Sequence, residues 1–350
     1  MTSKKNIIIA PLNWGLGHAA RCIPVIYQLL EQRFNPIIAS DGEALELLKK
    51  EFPKLKYVEL PSYKIQYASN GKFLKWKLLS LIPKILKATK AEYKIIQKLV
   101  ASENLCGIIS DNRFGVRSNK VPSVIITHQL NVLSGVTTFI TSKLHQNIIS
   151  KFDECWIPDD KYLNYSGKLS QTKSIKKQKY IGVLSRFKKE DLAIKYDLLV
   201  LLSGIEPSRS QLEQKLLSEL KNYKGSVLFV KGKIEPQQKK IIKENITLCN
   251  FLLTTELQTA INQSKLILAR SGYSTIMDLK TLSKKAFFIP TTGQYEQEYL
   301  AKYLSDLKIT PFATQENFEV KMLKDINGFS GFLKSTAQKS SINFSLFIKG

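Results

Sequence analysis

Apolar residues in this chain fall in short blocks separated by longer stretches with helical spacing. The first block, Asn6-Ile-Ile-Ile-Ala10, ends in a loop containing Pro and Gly, which predicts a buried parallel strand. Over residues 18–33, Ile23, Ile26, Tyr27 and Leu30 recur at the interval of one helix face. The same grammar predicts a strand at 36–39, a helix at 43–52 and a strand at 57–60. A long basic helix at 73–103 and strands at 106–110 and 121–127 follow. Residues 159–179 are polar, Lys-rich and without apolar periodicity, which predicts a surface excursion. A second series then begins, with strands at 196–202, 226–230, 246–249, 266–269 and 286–289. Its helices are expected at 211–220, from Pro236, at 256–262 and from Gly272. Strands alternating with helices imply parallel sheets covered on both faces. The fold class is therefore α/β, with two Rossmann-like domains at 1–184 and 185–350 and a last helix placed to pack back on the first.

Length and composition agree with this division. At ~150 residues per domain, 350 residues make two domains, and 43% hydrophobic content fills two cores. No run approaches the ~18 apolar residues of a membrane span, and no secretory signal is visible, so a cytoplasmic location is expected. Four cysteines without a CxxC and three dispersed histidines predict reduced thiols and no metal site.

The net charge of +24 reflects either a Lys-rich composition or attraction to an anionic surface. No helix-turn-helix, RNP or zinc-finger pattern points to nucleic acid. Between residues 72 and 87, lysines interleave with Phe73, Trp76, Leu78, Leu79, Leu81, Ile82, Ile85 and Leu86. That stretch reads either as an interfacial helix on anionic lipid or as a core-facing helix with a solvated lysine face.

In open α/β sheets ligands sit beyond the carboxyl ends of the strands, over helix starts that favour anions. Four loops fall there. Pro11-Leu-Asn-Trp-Gly15-Leu-Gly17-His18-Ala-Ala-Arg21 is either a ligand-approaching loop or a tight turn with a capping histidine. Ser110-Asp111-Asn-Arg113 offers an aspartate for general-base work, or an Asx-turn. Leu202-Ser-Gly204-Ile-Glu-Pro-Ser-Arg209 allows close backbone approach. In Ala269-Arg270-Ser271-Gly272-Tyr-Ser274-Thr275, hydroxyls at a helix start suit a diphosphate, and Asp278 follows where it could grip ribose or answer the helix dipole. Each loop holds one of only seven arginines, whose planar fork suits phosphate and carboxylate. Gln294, Glu296 and Gln297 crowd the helix start after Pro290, suited either to sugar hydroxyls or to a solvated polar helix start, and His128 opens the loop after the 121–127 strand, either pointing into a cleft or buried and satisfied.

Together these residues resemble the family 28, MurG-like glycosyltransferases. Gly17-His18 ends the first loop as in that family, Arg270-Ser-Gly272 leads to an acidic residue, and Gln294–Gln297 follows a proline. The resemblance implies a GT-B architecture, two Rossmann-like domains with parallel sheets facing a central cleft. It implies an inverting, metal-independent transfer, with no cofactor, of an N-acetylglucosamine-type sugar from a UDP-sugar to a lipid-linked or cell-envelope glycan. His18 or Asp111 would take the acceptor proton; Gly204, Arg270, Ser271, Gly272, Ser274 and Thr275 would seat the diphosphate. Asp278, Phe251 and Leu252 would hold the uridine; Gln294, Glu296 and Gln297 the sugar; Gly15, Gly17, Arg21, Arg113 and His128 the acceptor side. A lipid acceptor would place the enzyme on the inner face of the cytoplasmic membrane. Two departures leave the acceptor open: the first loop has fewer glycines than the family's, and the acidic residue is Asp rather than Glu. Gly15-Leu-Gly-His18-Ala-Ala-Arg21-Cys22 also resembles the UDP-sugar hydrolase of pseudaminic acid synthesis, in which His18 would activate water.

Overall fold

The computed structural model describes residues 5–63, 74–162, 164–204, 206–332 and 342–348, with the side chains of 74–82 and of Val136 outside that description. The first half runs β1 (Asn6–Pro11), α1 (Gly17–Glu31), β2 (Asn35–Ser40), α2 (Gly42–Glu51), β3 (Lys56–Glu59), α3 (Leu74–Ser102), β4 (Leu105–Asp111), β5 (Ser123–Ile126), α4 (Thr138–Ile149), β6 (Glu154–Ile157) and β7 (Gln178–Tyr180). These strands form one parallel sheet in the order β3-β2-β1-β4-β5-β6-β7. Ile7, Ile8 and Ile9 of β1 are wholly buried, because a central strand of a parallel sheet meets helices on both faces.

The second half runs β8 (Tyr196–Leu201), α5 (Ser208–Glu219), β9 (Val227–Val230), β10 (Lys240–Lys243), β11 (Ile246–Cys249), α6 (Thr254–Asn262), β12 (Ser264–Ala269), α7 (Tyr273–Leu282), β13 (Lys285–Phe288) and α8 (Tyr295–Asp306). Its sheet order is β10-β11-β9-β8-β12-β13. A short helix, α9 (Ser345–Ile348), returns to the first sheet, where Phe344 and Phe347 pack with Trp156 and Phe34. Gly107 makes room for it: a Cβ there would lie 2.1 Å from the Phe347 ring.

Two expectations are corrected. The helix expected from Pro236 is instead an exposed edge strand, β10, the one antiparallel member of its sheet. Its only apolar residues, Ile241 and Ile242, are adjacent and so make no helical stripe. Asn250 fixes the approach by accepting from the Lys239 N–H at 2.8 Å and donating to the Gln237 carbonyl at 2.9 Å. The excursion at 159–179 is a surface segment over 171–179, mostly exposed there, but turns inward before that: Asp159 is fully buried, and Tyr165 and Leu169 pack into the second domain's core. Its polarity hid this burial, because the Asp159 carboxylate accepts from Tyr165 N, Ser166 N and Ser166 Oγ. The intervening α4 and β6 carry too little apolar periodicity to be read.

The candidate lipid helix is α3. Of the side chains that suggested it, those at 74–82 lie outside the described residues, as does Phe73; Ile85 packs on a small cluster with Leu12 and Tyr63, and Leu86 is exposed. No described helix is long and apolar enough to cross a membrane. All four cysteines are buried and unbridged.

Candidate active site

The carboxyl ends of the two sheets meet. Gly15 (φ 73°) and Gly204 (φ 107°) face each other there, a Cβ on Gly15 falling 3.7 Å from the Gly204 Cα. Positive φ is tolerated by glycine, so both loops turn tightly and touch through backbone. The Ser274 hydroxyl donates to the Gly17 carbonyl at 3.0 Å, docking the start of α7 on the start of α1.

From that start α1 presents His18, Arg21 and Cys22 on one face, three and four residues apart, toward Asp111 at the end of β4. His18 Nδ1 lies 2.9 Å from Asp111 Oδ1. Arg21 Nη2 lies 2.8 Å from the same nitrogen, so Nδ1 either donates to Asp111 or accepts from Arg21, and only the first tautomer leaves the lone pair on Nε2. His18 Nε2 has no hydrogen-bond partner among the described residues. Arg21 grips the same carboxylate twice, Nε to Oδ2 at 2.5 Å and Nη2 to Oδ1, the bidentate fit of guanidinium to carboxylate. Burial lowers the His18 pKa from 6.5, Arg21 adds to the effect, and Asp111 opposes it; the ring is neutral at pH 7. Burial would raise Asp111, but Arg21 and His18 outweigh it and hold the carboxyl well below the usual range. Asp111 is fully enclosed, while His18 keeps 16% of its side-chain surface, so the histidine is the member of the pair that a substrate can reach.

Arg21 continues the chain of bonds. Its Nη1 lies 3.1 Å from His128 Nδ1 and can only donate, so the His128 proton sits on Nε2. That N–H donates to Glu296 Oε1 at 2.9 Å, and Gln129 Nε2 donates to Oε2 at 2.9 Å. Glu296 thus reaches from α8 in the second domain to the first. Burial would raise its pKa, but His128, His18 and Arg21 lower it overall. Tyr273 stacks on His128 with ring centroids 3.9 Å apart and donates to the Pro158 carbonyl at 2.8 Å.

On the second domain, β12 runs through Arg270 and Ser271 into α7, with Gly272 at its N-cap. The first-turn N–H groups of Tyr273, Ser274 and Thr275 have no intrahelical acceptor, which makes this crest a seat for an anion. Ser271 Oγ is used on the Gln297 carbonyl at 2.8 Å. On α7, Asp278 accepts from Ser185 Oγ at 2.6 Å. Burial raises its carboxyl to about 6 against the opposing pull of Arg186 and Ser185.

Several sequence-based placements change. Arg113 is not on the acceptor side: it is fully buried, donating to Glu92 and Asp41 at 2.7 Å each and to the Pro61 carbonyl at 2.8 Å. Asn112, at φ 59°, turns the chain just before it. Arg270 does not reach the crest. Its Nη1 serves the carbonyls of Ile289 and Pro290 at 3.1 and 3.0 Å, and its Nη2 serves Ser208 O and Gln315 Oε1 at 3.1 and 2.8 Å. Gln297 is buried, its amide oxygen accepting from Thr291 N at 2.9 Å; it closes a loop, leaving Gln294 and Glu296 nearer the junction. Phe251 is also buried, its N–H bonded to Asn250 and its carbonyl to Gln238, so Leu252 is the member of that pair with no backbone hydrogen bond among the described residues.

One cluster escaped the sequence reading. Arg186 follows Ser185 in the interdomain linker and donates to Thr254 Oγ1 at 3.2 Å, with Glu51 3.6 Å away. The Thr254 N–H and hydroxyl both donate to Glu51, at 2.8 and 2.6 Å. The available signal was Arg186 itself, a rare arginine outside the four loops. Among the described residues no group of three His, Cys, Asp or Glu side chains is placed to hold a metal.

Residues 205–343 match the glycosyltransferase family 28 C-terminal domain. The chain is 23% identical over 253 residues to a Haemophilus ducreyi UDP-N-acetylglucosamine--N-acetylmuramyl-(pentapeptide) pyrophosphoryl-undecaprenol N-acetylglucosamine transferase, covering 69% of this chain and 68% of that protein. It is 26% identical over 312 residues to an uncharacterized glycosyltransferase of Methanosarcina acetivorans, covering 81% and 79%. Among solved structures, the kitacinnamycin glycotransferase superposes with a TM-score of 0.64 at 12% identity, over 93% of this chain and 90% of that one. MurG of Acinetobacter baumannii does so with a TM-score of 0.52 at 16% identity, over 93% and 92%.

The chain is a glycosyltransferase of the GT-B fold, similar to MurG. The matched family segment contains the α7 crest and Asp278, and lies wholly in the second domain. His18, Asp111 and Arg21 lie outside it. The α7 crest and Asp278 therefore have both a family match and a geometry, whereas the His18–Asp111 pair rests on geometry.

Proposed function

We propose that this glycosyltransferase moves an N-acetylglucosamine-type sugar from a UDP-sugar to a lipid-linked or cell-envelope glycan acceptor, with inversion and without a metal. The observation that carries the reading is the His18–Asp111 contact at 2.9 Å, which in the tautomer that donates to Asp111 leaves the lone pair on Nε2. The acceptor hydroxyl gives its proton to His18 Nε2 as its oxygen attacks the anomeric carbon, and the C–O bond to the diphosphate breaks on the opposite face. The imidazolium so formed is stabilised by Asp111, which stays ionised. Charge developing on the departing diphosphate meets the N–H groups at the start of α7, an oriented dipole that needs no reorganisation. Asp278 and the backbone at Leu252 hold the nucleoside; Gln294 and Glu296 face the sugar. The name of the Haemophilus ducreyi relative supports the choice of donor sugar and of a pyrophosphoryl-lipid acceptor. The net charge of +24 supports peripheral attachment to an anionic bilayer.

Hydrolysis is the second reading, favoured by Arg21 and Cys22, which complete the hydrolase-like motif and both contact Asp111. UDP release from UDP-N-acetylglucosamine, with and without a bacterial lipid extract, separates the two. Transfer predicts release only when the extract is present; equal release in buffer alone would establish the hydrolase and retire the transfer reading.

A further inference from the structure

The chain of hydrogen bonds that ends at His18 does not stay within one domain. His128 belongs to the first domain, yet its ring is held from the second. Tyr273, at the start of α7, stacks on it with a 9° angle between the ring planes. Glu296, in the first turn of α8, accepts from its Nε2 at 2.9 Å. The other Glu296 oxygen accepts from Gln129, so both are spent on the loop after β5. On its far side His128 Nδ1 meets Arg21 Nη1, and an arginine can only donate. His128 Nδ1 must therefore stay unprotonated, and the acceptor that keeps the ring proton on Nε2 is Glu296. Without that acceptor the proton is free to move to Nδ1, where it would face the Arg21 N–H groups and push Arg21 off the carboxylate it shares with His18.

We propose that Glu296 is a positioning residue: through His128 and Arg21 it carries the placement of the second domain to the His18–Asp111 pair. The pair is then fully set only when α8 is docked on the loop after β5, a role separate from any contact of Glu296 with the sugar. Four charged or titratable groups bear on His18: Arg21 from its own helix, Asp111 from β4, His128 from the loop after β5 and Glu296 from α8. Asp111 and Glu296 attract a protonated His18, whereas Arg21 and His128 oppose it. That His18 then takes a proton from an acceptor rests on the nucleotide-sugar reading; the coupling itself is a property of the free protein.

The chain has only three histidines, so nitrogen-15 labelling of the imidazoles lets NMR follow each ring in the full chain. In Glu296→Gln, which keeps the shape and removes the charge, the proton affinity of His18 should fall ~3-fold, moving its titration to lower pH. His145, packed on Phe114, is the internal control and should not move. A His18 titration that is unchanged, or that moves together with that of His145, would overturn the proposal. Turnover gives a second route, read as UDP release from UDP-N-acetylglucosamine with a bacterial lipid extract. Glu296→Gln and His128→Phe, which keeps the stack on Tyr273, should each lower it ~10-fold, and the double variant should be no worse than either. Losses that multiply to ~100-fold would show that the two residues act independently and would also overturn the proposal. If the wild type released no UDP with or without the extract, the nucleotide-sugar reading would fall, and the imidazole titrations would still decide the coupling.

Discussion

The two sides of the junction handle charge in opposite ways. In the first domain every buried charge at the site is matched. Asp111 is held by Arg21 and His18, and Arg21 in turn fixes the tautomer of His128. In the second, among the described residues, Arg270 bonds only neutral oxygens, Asp278 is pushed up to about 6, and the first turn of α7 has no side-chain cap. A matched network fixes protons at named atoms, as a group that accepts and returns a proton requires. An unmatched surface attracts what completes it, here an anion with hydroxyls. On the proposed function the chemistry belongs to one domain and the affinity to the other, with Glu296 joining them across the gap.

The largest test of that division is on the matched side. Asp111→Asn leaves the shape but removes the negative charge beside His18 Nδ1, and turnover should fall ~10³-fold, within the usual range for losing an acid–base group. Steady-state kinetics with saturating donor would show it; a loss below ~10-fold would transfer the base role elsewhere.

On the unmatched side, Asp278 should weaken the fold at neutral pH. Its folded-state value of about 6 lies above the ordinary 3.8, so the folded protein holds the proton more tightly. Stability is therefore lost as pH rises from about 4 to 6, and the full cost is present above that range. Asp278→Asn should be more stable than wild type by ~2 kcal/mol at pH 7.5, the two converging near pH 4, as read by urea denaturation. If the variant were equally or less stable at pH 7.5, the carboxylate would be compensated after all. A gain in stability with loss of nucleotide binding is the outcome that sharpens the comparison.

The smallest effect is in the pH profile. His18 must be neutral to accept a proton, and its value lies below 6.5, so kcat/KM should fall only as pH drops below that point. In Asp111→Asn, loss of the supporting charge should move the acid limb of the residual activity to still lower pH. A limb centred above pH 7 would exclude His18 as the group observed.

Much of this architecture was legible because a buried parallel strand writes itself as a run such as Ile7-Ile-Ile9. The failures lay where polarity and burial part company. Asp159 and Tyr165 are interior because their polar groups satisfy one another, a relation that no periodicity displays. Residues 240–243 form a strand through a partner, β11, that lies beyond the local pattern. At the site, strand-end loops led directly to His18, Arg21, Asp111, His128 and Glu296, which the fold joins in one chain of hydrogen bonds. Arg113 and Arg270 came from the same logic and turned inward, because a loop position does not set a side chain's direction. Arg186 was overlooked since it sits in a linker rather than at a strand end.

The most direct test of the division between the domains is UDP binding by His18→Ala, measured by calorimetry beside turnover on the same preparation. The account predicts a dissociation constant within ~3-fold of wild type and turnover reduced ~10³-fold, since His18 acts on the proton and the second domain holds the nucleotide. A dissociation constant that rises in step with the loss of turnover would contradict it, placing His18 in the donor site itself.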